Sequence, residues 1–184
     1  MPFTKTEFEG LFVFEPVVHR DSRGYFFESY NEQTWLSENI RIRFVQDNQA
    51  KSTYGVVRGL HYQLNPHAQT KLVRALSGSI LDVVVDIRKG SPTYGKHFAI
   101  ELSAGNHKQL LVPHGFAHGY AVLSETAEVM YKCDAFYNKS SEAGIAFNDP
   151  ALAIDWKIPA ENQIISEKDM NQPSFENCIS NFQF

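Results

Sequence analysis

VVRGLHYQLNPHAQTKLVRALSGSILDVVVDIR, Val56 to Arg88, reads as three short strands separated by turns. Apolar and β-branched residues fill VVRGLHYQ (56–63), TKLVRALS (70–77) and SILDVVVDIR (79–88), and Asn65-Pro66 and Ser77-Gly78 supply the turn chemistry between them. Yet Arg58, His61 and Lys71 stand among those apolar residues. An unpaired charge out of water costs several kcal/mol or changes its protonation state. Either these groups are satisfied within the fold, or they line a cavity where something binds.

The same pattern continues on both sides. LFVFEPVVH (11–19), YFFESY (25–30), IRFVQ (42–46), HFAIELS (97–103), KQLLVP (108–113), GYAVLS (119–124) and AEVMYKCDAFY (127–137) all read as strands. Only NEQTWLSEN (31–39) reads as a helix, with Asn31 as its N-cap. Short strands at roughly 8–12-residue spacing predict an all-β fold, a sandwich, jelly roll or small barrel with few helices. The pattern weakens after about residue 138, so the C-terminal segment is expected to pack on the barrel within one domain, 1–184.

Composition narrows the partners. With 184 residues, 43% hydrophobic, and a formal net charge of −4, nothing favours nucleic acid or an anionic membrane surface. Any anion site must come from a local cluster. Cys133 and Cys178 are too few for a disulfide framework, and no run approaches the ~20 apolar residues of a membrane span. The first residues, MPFTKTEFEG, carry no apolar leader core, so the expected location is the cytosol.

Strand alternation suggests which polar groups share a wall. Val57, Gly59 and His61 have one parity and Arg58, Leu60 and Tyr62 the other, unless a bulge at Gly59 intervenes. Asp82 and Asp86 share a face, and at least one is expected to turn inward. Lys71 follows His61 across an apparent loop, so a hairpin would bring both to one mouth beside Arg58. Taken singly, His61 could be a hydrogen-bonded core residue, Lys71 a surface lysine and Arg58 an edge gatekeeper. Together they form a cationic patch beside a possible base.

A second cluster is PHGFAHGY (113–120). His114 and His118 have the spacing of helical metal ligands, but Gly115 and Gly119 argue against a helix. Pro113-x-Gly115-x-x-His118 instead resembles the second motif of the cupin β-barrels. Metal-binding cupins carry His-x-His and then a Glu seven residues before a Gly. Here the corresponding residues are His61-Tyr62-Gln63 and Lys71, which stands seven before Gly78. A protonated ammonium repels a divalent ion and cannot ligate it.

RDSRGYFFESYN (20–31), FVQDNQAKS (44–52), RGLHYQ (58–63), QTKLVR (69–74), DVVVDIRKGSPTYG (82–95), KQLLVPHGFAHGY (108–120), MYKCDAFY (130–137) and SEKD (166–169) are, in order, similar to the dTDP-4-dehydrorhamnose 3,5-epimerase family. That resemblance implies a cupin-type jelly-roll β-barrel, a homodimer, and no metal or organic cofactor. It implies epimerisation at C3 and C5 of dTDP-4-dehydro-6-deoxy-D-glucose, giving dTDP-4-dehydro-L-rhamnose, with the small-molecule dTDP-sugar as partner rather than nucleic acid or membrane.

Matching residue by residue, the resemblance implies His61 as base, Asp169 as its partner, Tyr131 as the acid on the opposite face and Lys71 as stabiliser of the enolate. It assigns substrate contacts to Arg23, Glu28, Gln46, Asn48, Arg58, Lys71, His118, Glu142 and Lys168, with Tyr137 stacking on thymine. His114 receives no role. Without the resemblance, Asp169 could be a loop or helix cap and Tyr131 barrel filling. Two other readings share the fold: an enzyme inverting only C3 or only C5, and a sugar-nucleotide-binding cupin without turnover. A metal-dependent cupin oxygenase or isomerase is disfavoured by Lys71 and Gln63.

Overall fold

A computed structural model describes residues 2–184. In chain order the elements are β1 (Phe3–Lys5), β2 (Phe12–Phe14), β3 (His19–Asp21), β4 (Gly24–Phe26), α1 (Glu32–Ser37), β5 (Gln46–Thr53), β6 (Val56–Gln63), β7 (Lys71–Ser77), β8 (Ser79–Asp86), β9 (His97–Ser103), β10 (Gln109–Val112), β11 (Phe116–Val122), β12 (Thr126–Cys133), β13 (Glu142–Gly144), β14 (Ile164–Ile165) and α2 (Glu167–Met170). One sheet has the order β1-β2-β10-β7-β12-β5. The other runs β13-β6-β11-β8-β9, with β14 beside β6, and β3 and β4 form a separate hairpin. This is the jelly-roll architecture, two mostly antiparallel sheets facing each other.

Alternation along the strands separates the cores. Val73, Ile80, Val84, Leu110, Val122 and Val129 fill the space between the sheets. Phe14, Trp35, Ile40, Leu72 and Leu111 pack beneath α1 on the outer face of the first sheet. Asn31 caps that helix, its side-chain oxygen accepting the Gln33 N–H at 3.0 Å. Leu81, Val83 and Val85 point outward on the second sheet, where Leu152, Trp156, Ile158 and Phe182 of the C-terminal segment cover them.

Three expectations change. IRFVQ (42–46) is not a strand: Ile42 and Phe44 turn down onto the Trp35 cluster, and the ladder begins only at Gln46. LFVFEPVVH (11–19) pairs at Phe12–Phe14 and stops before Pro16, which has no N–H to give a ladder. Most consequential for the site, β6 and β7 do not form a hairpin. They belong to different sheets, and residues 64–70 carry the chain from one to the other. His61 and Lys71 therefore come from opposing walls.

The bulge at Gly59 is real and reorients the wall. His118 pairs with His61 and Tyr120 with Arg58, so three steps along β6 oppose two along β11. Arg58 and His61, of opposite parity, consequently line the same cavity. Gly59 sits at φ +121°, and a Cβ there would lie 2.5 Å from the Gly119 Cα and 2.8 Å from the His118 oxygen. Backbone, which cannot move aside cheaply, supplies both contacts. Gly59→Ala is expected to destabilise the fold by at least about 2 kcal/mol, the scale of one strained residue. A urea midpoint unchanged from wild type would contradict this.

Candidate active site

A cavity of about 490 Å³ lies between the sheets. β6 contributes Arg58 and His61, β11 contributes His118 and Tyr120, and the opposing sheet contributes Ala50, Lys71 and Tyr131. Ile164 and Ile165 of β14 form an apolar side, and Ser166, Lys168 and Asp169 follow directly on. A second cavity of about 300 Å³ shares His61, Lys71 and Tyr131 and adds Gln46, Asn48, Tyr137 and Glu142. The two spaces meet at three of the four residues expected to do the chemistry, and Asp169 lines the first.

His61 Nε2 lies 2.5 Å from Asp169 Oδ1, joining residues 108 apart in sequence. Local structure aims the carboxylate. Ser166 caps α2, its hydroxyl accepting the Asp169 N–H at 3.1 Å, and the Gly59 N–H donates to Asp169 Oδ2 at 3.3 Å. An ionised carboxylate can only accept, so Nε2 carries the ring proton and the lone pair sits on Nδ1. His61 keeps 29% of its side chain exposed, whereas Asp169 keeps only 4%. The arrangement is the one a general base with an orienting partner behind it would need.

Lys71 and Tyr131 face this pair from the other sheet. The Lys71 Nζ stands 5.8 Å from the Tyr131 ring centroid. Burial, with Cys133 and Tyr120 adding to it and Arg58 opposing, pushes the Tyr131 phenol above its ordinary value, so the hydroxyl stays protonated and can act as an acid. Burial pulls the Lys71 ammonium down, while Cys133, Asp82 and Glu142 hold it up. Arg58 is steadied by Ser52, whose hydroxyl accepts from its Nε and NH2 groups at 3.2 and 3.0 Å.

The adjoining cavity gathers the remaining polar groups. Gln46 Oε1 accepts the Tyr137 N–H at 3.0 Å, and the Tyr137 hydroxyl donates to Glu142 Oε2 at 3.1 Å. Lys168 reaches the other oxygen of Glu142 at 2.5 Å. Burial alone would raise the Glu142 carboxyl; bonds from Lys168 and Tyr137 outweigh it and hold the group low. Tyr137 remains exposed, its ring open to a stacking partner.

All expected site residues meet at these cavities except Arg23 and Glu28. Arg23 lies on the turn between β3 and β4, where it pairs with Asp21 at 2.6 Å, and Glu28 accepts from Asn31 at 3.1 Å. Neither lines the central cavity of its own chain. His114 bonds Asp134 at 3.0 Å away from the site. Sequence reasoning missed Tyr120, which follows His118 by two along β11, shares its face, and has no partner for its buried hydroxyl among the described residues. Strand alternation alone could have found it.

The His61–Asp169 pair has a measurable acid signature. Burial by itself would raise the Asp169 carboxyl; His61, the Gly59 N–H and Ser166 outweigh it and hold the carboxyl below its ordinary value. A carboxyl held low contributes its full stabilisation above the unfolded-state pKa of about 4, and loses it as pH falls through the lower folded value. The stability gap between wild type and Asp169→Asn is expected to close as pH falls below about 4. Urea denaturation over that range reads it, and a gap that widens on acidification would contradict the assignment.

Known proteins similar in sequence and architecture point the same way. The family model for dTDP-4-dehydrorhamnose 3,5-epimerase matches residues 5–177. The dTDP-4-dehydrorhamnose 3,5-epimerase of Shigella flexneri is 50% identical over 176 residues, covering 95% of this chain and 96% of that protein. The crystal structure of dTDP-4-dehydrorhamnose 3,5-epimerase from Elizabethkingia anophelis superposes with a TM-score of 0.92 at 53% identity, covering 95% of this chain and 96% of that one. That of the Legionella pneumophila dTDP-6-deoxy-D-glucose-3,5-epimerase, in complex with dTDP-4-keto-L-rhamnose, gives 0.91 at 43% identity, covering 95% and 93%. With the model match extending across nearly the whole chain, this protein belongs to the dTDP-4-dehydrorhamnose 3,5-epimerase family.

Proposed function

We propose that this chain inverts C3 and C5 of dTDP-4-dehydro-6-deoxy-D-glucose to give dTDP-4-dehydro-L-rhamnose. The observation that carries this is a histidine base with its carboxylate on one wall of a cavity and a protonated tyrosine on the other. The C4 ketone acidifies the hydrogens on C3 and C5, because either carbanion spreads onto the carbonyl oxygen. His61 Nδ1 removes the proton, the electron pair moves to that oxygen, and the Lys71 ammonium meets the charge as it forms. Tyr131 then delivers its phenolic proton to the opposite face of the same carbon. Asp169 remains ionised throughout and steadies the imidazolium. After each inversion solvent takes the proton from His61 and returns one to Tyr131, so the same pair can invert the second carbon. An ammonium stands where related barrels bring a metal, so the enolate is met by Lys71.

Arg58 supplies a cation for the diphosphate, and Tyr137 with Gln46 and Asn48 receives the base. The catalytic unit is the whole chain, since Asp169 comes from the C-terminal segment and His61 from the barrel. We further propose a homodimer, acting in the cytoplasm. The β3–β4 hairpin carries Arg23 away from its own cavity and leaves Tyr25 and Phe26 exposed. Arg23 and Glu28 act as substrate contacts if that hairpin serves the site of the second copy.

Proton NMR of the 4-ketosugar nucleotide in deuterium oxide tests the reading. The wild type is expected to introduce deuterium at both C3 and C5 and to yield the L-rhamno ketosugar. Tyr131→Phe keeps the ring packing and should still exchange through His61, with inversion slowed about 10²–10⁴-fold, the usual worth of a positioned acid. Deuterium at a single carbon in the wild type would make the protein a mono-epimerase. Full inversion by Tyr131→Phe would remove that residue from the mechanism.

A further inference from the structure

Asp82 is sealed inside the barrel at 0% exposure, and nothing in the mechanism above uses it. Its Oδ1 lies 2.5 Å from His118 Nε2, and its Oδ2 has no hydrogen-bond partner among the described residues. Asp86, four residues on along the same face of β8, shows what a structural carboxylate looks like here. Its oxygens accept from the Arg88 side chain at 2.9 and 2.8 Å, from Ser91 at 2.6 Å and from Thr93 at 2.7 Å. Asp82 has none of these supports. A buried carboxylate with an empty oxygen is costly unless nearby cations balance it.

His118 is the cross-strand partner of His61, so two His–Asp pairs stand side by side along β11 and β6. They are not equivalent. The His61 side chain is 29% exposed, but that of His118 only 7%. The bond to Asp82 is the only hydrogen bond the His118 ring makes among the described residues, which leaves Nδ1 on a residue that lines the cavity. With Nε2–H committed to Asp82, a neutral ring offers only a lone pair at Nδ1. That lone pair would repel an enolate oxygen. A doubly protonated ring offers an N–H.

Resting on the epimerase reading, we propose that Asp82 is a positioning residue that holds His118 as an imidazolium, so that His118 Nδ1–H and Lys71 together cradle the developing enolate oxygen. The other charged or titratable groups that line the cavity with His118 are Arg58 and His61 on β6, Lys71 on β7, Tyr120 on β11, Tyr131 on β12, and Lys168 and Asp169 on α2. Arg58 and the Lys71 ammonium, which burial already pulls down, oppose a further positive charge. Asp82 supplies the opposite charge from behind, where substrate cannot displace it. It also helps hold up the Lys71 ammonium against burial.

Nitrogen-15 NMR of histidine-labelled whole enzyme, without substrate, reads the claim directly. At neutral pH the wild type is expected to show His118 protonated on both ring nitrogens, and Asp82→Asn to show it protonated on one. Asp82→Glu, which restores the charge, should recover part of the doubly protonated signal. In turnover, Asp82→Asn is expected to lose about 10²–10³-fold in kcat, the worth of one oxyanion donor, with KM changed less than about threefold. A neutral His118 in the wild type overturns the proposal, and so does an unchanged kcat in folded Asp82→Asn. Should that variant fail to fold, the wild-type spectrum alone decides. A wild type that introduces no deuterium into the ketosugar would instead overturn the epimerase reading, an outcome separate from the His118 signal.

Discussion

The hydrogen bond between His61 and Asp169 is the constraint on which the site depends. It ties β6 to the first turn after β14, so the C-terminal segment is part of the site as well as a cover for the sheet. The outward apolar row of β8 gives that segment its reason to pack there, and Trp156 anchors it by donating to the Phe147 oxygen at 2.8 Å. Ser166 then caps a helix of four residues that presents Asp169 and Lys168 to the cavity. A loose tail would leave the imidazole free to turn. A well-packed one fixes which nitrogen holds the proton.

Opposition of the walls is the second requirement, and topology provides it. A sugar ring held between two sheets has one face toward β6 and β11 and the other toward β7 and β12. Inversion by a two-group mechanism needs that division, because a lone base returns its proton to the face it came from. The electrostatics follow the same plan. A chain with net charge −4 gathers Arg58, Lys71 and Lys168 around one cavity, which is where an anionic sugar nucleotide would need them. Glu142 and Tyr137 hold Lys168 at the rim, and the inward-facing cations are left with Asp82 behind them.

Much of the barrel was legible as pattern. VVRGLHYQ and HFAIELS became β6 and β9 at the expected bounds, and Asn31 caps the helix as its side chain predicts. Such features rest on local rules, the period of two and the capping oxygen. What local rules do not carry is partner choice. Nothing within residues 56–77 says that β6 and β7 join different sheets; that follows from pairing with β11, β10 and β12, much later in the chain. The phase of β6 was equally hidden, because a bulge at Gly59 shifts His61 onto the face of Arg58. The roles of Asp169 and Tyr131 came through resemblance, since neither SEKD nor MYKC announces a cavity until the fold closes around it. Asp82 was legible as an inward carboxylate. Its bond to His118 was not, because that contact depends on β8 and β11 lying side by side.

The central claim is that a single base, His61, opens both C–H bonds. The most direct measurement is the rate at which solvent deuterium enters C3 and C5 of the ketosugar with His61→Asn, a smaller polar side chain whose amide can still donate a hydrogen bond but cannot act as a base. The variant should fold, still bind the nucleotide and introduce almost no deuterium at either carbon. Exchange at near wild-type rate at C3 or C5 would place the base elsewhere and contradict the claim.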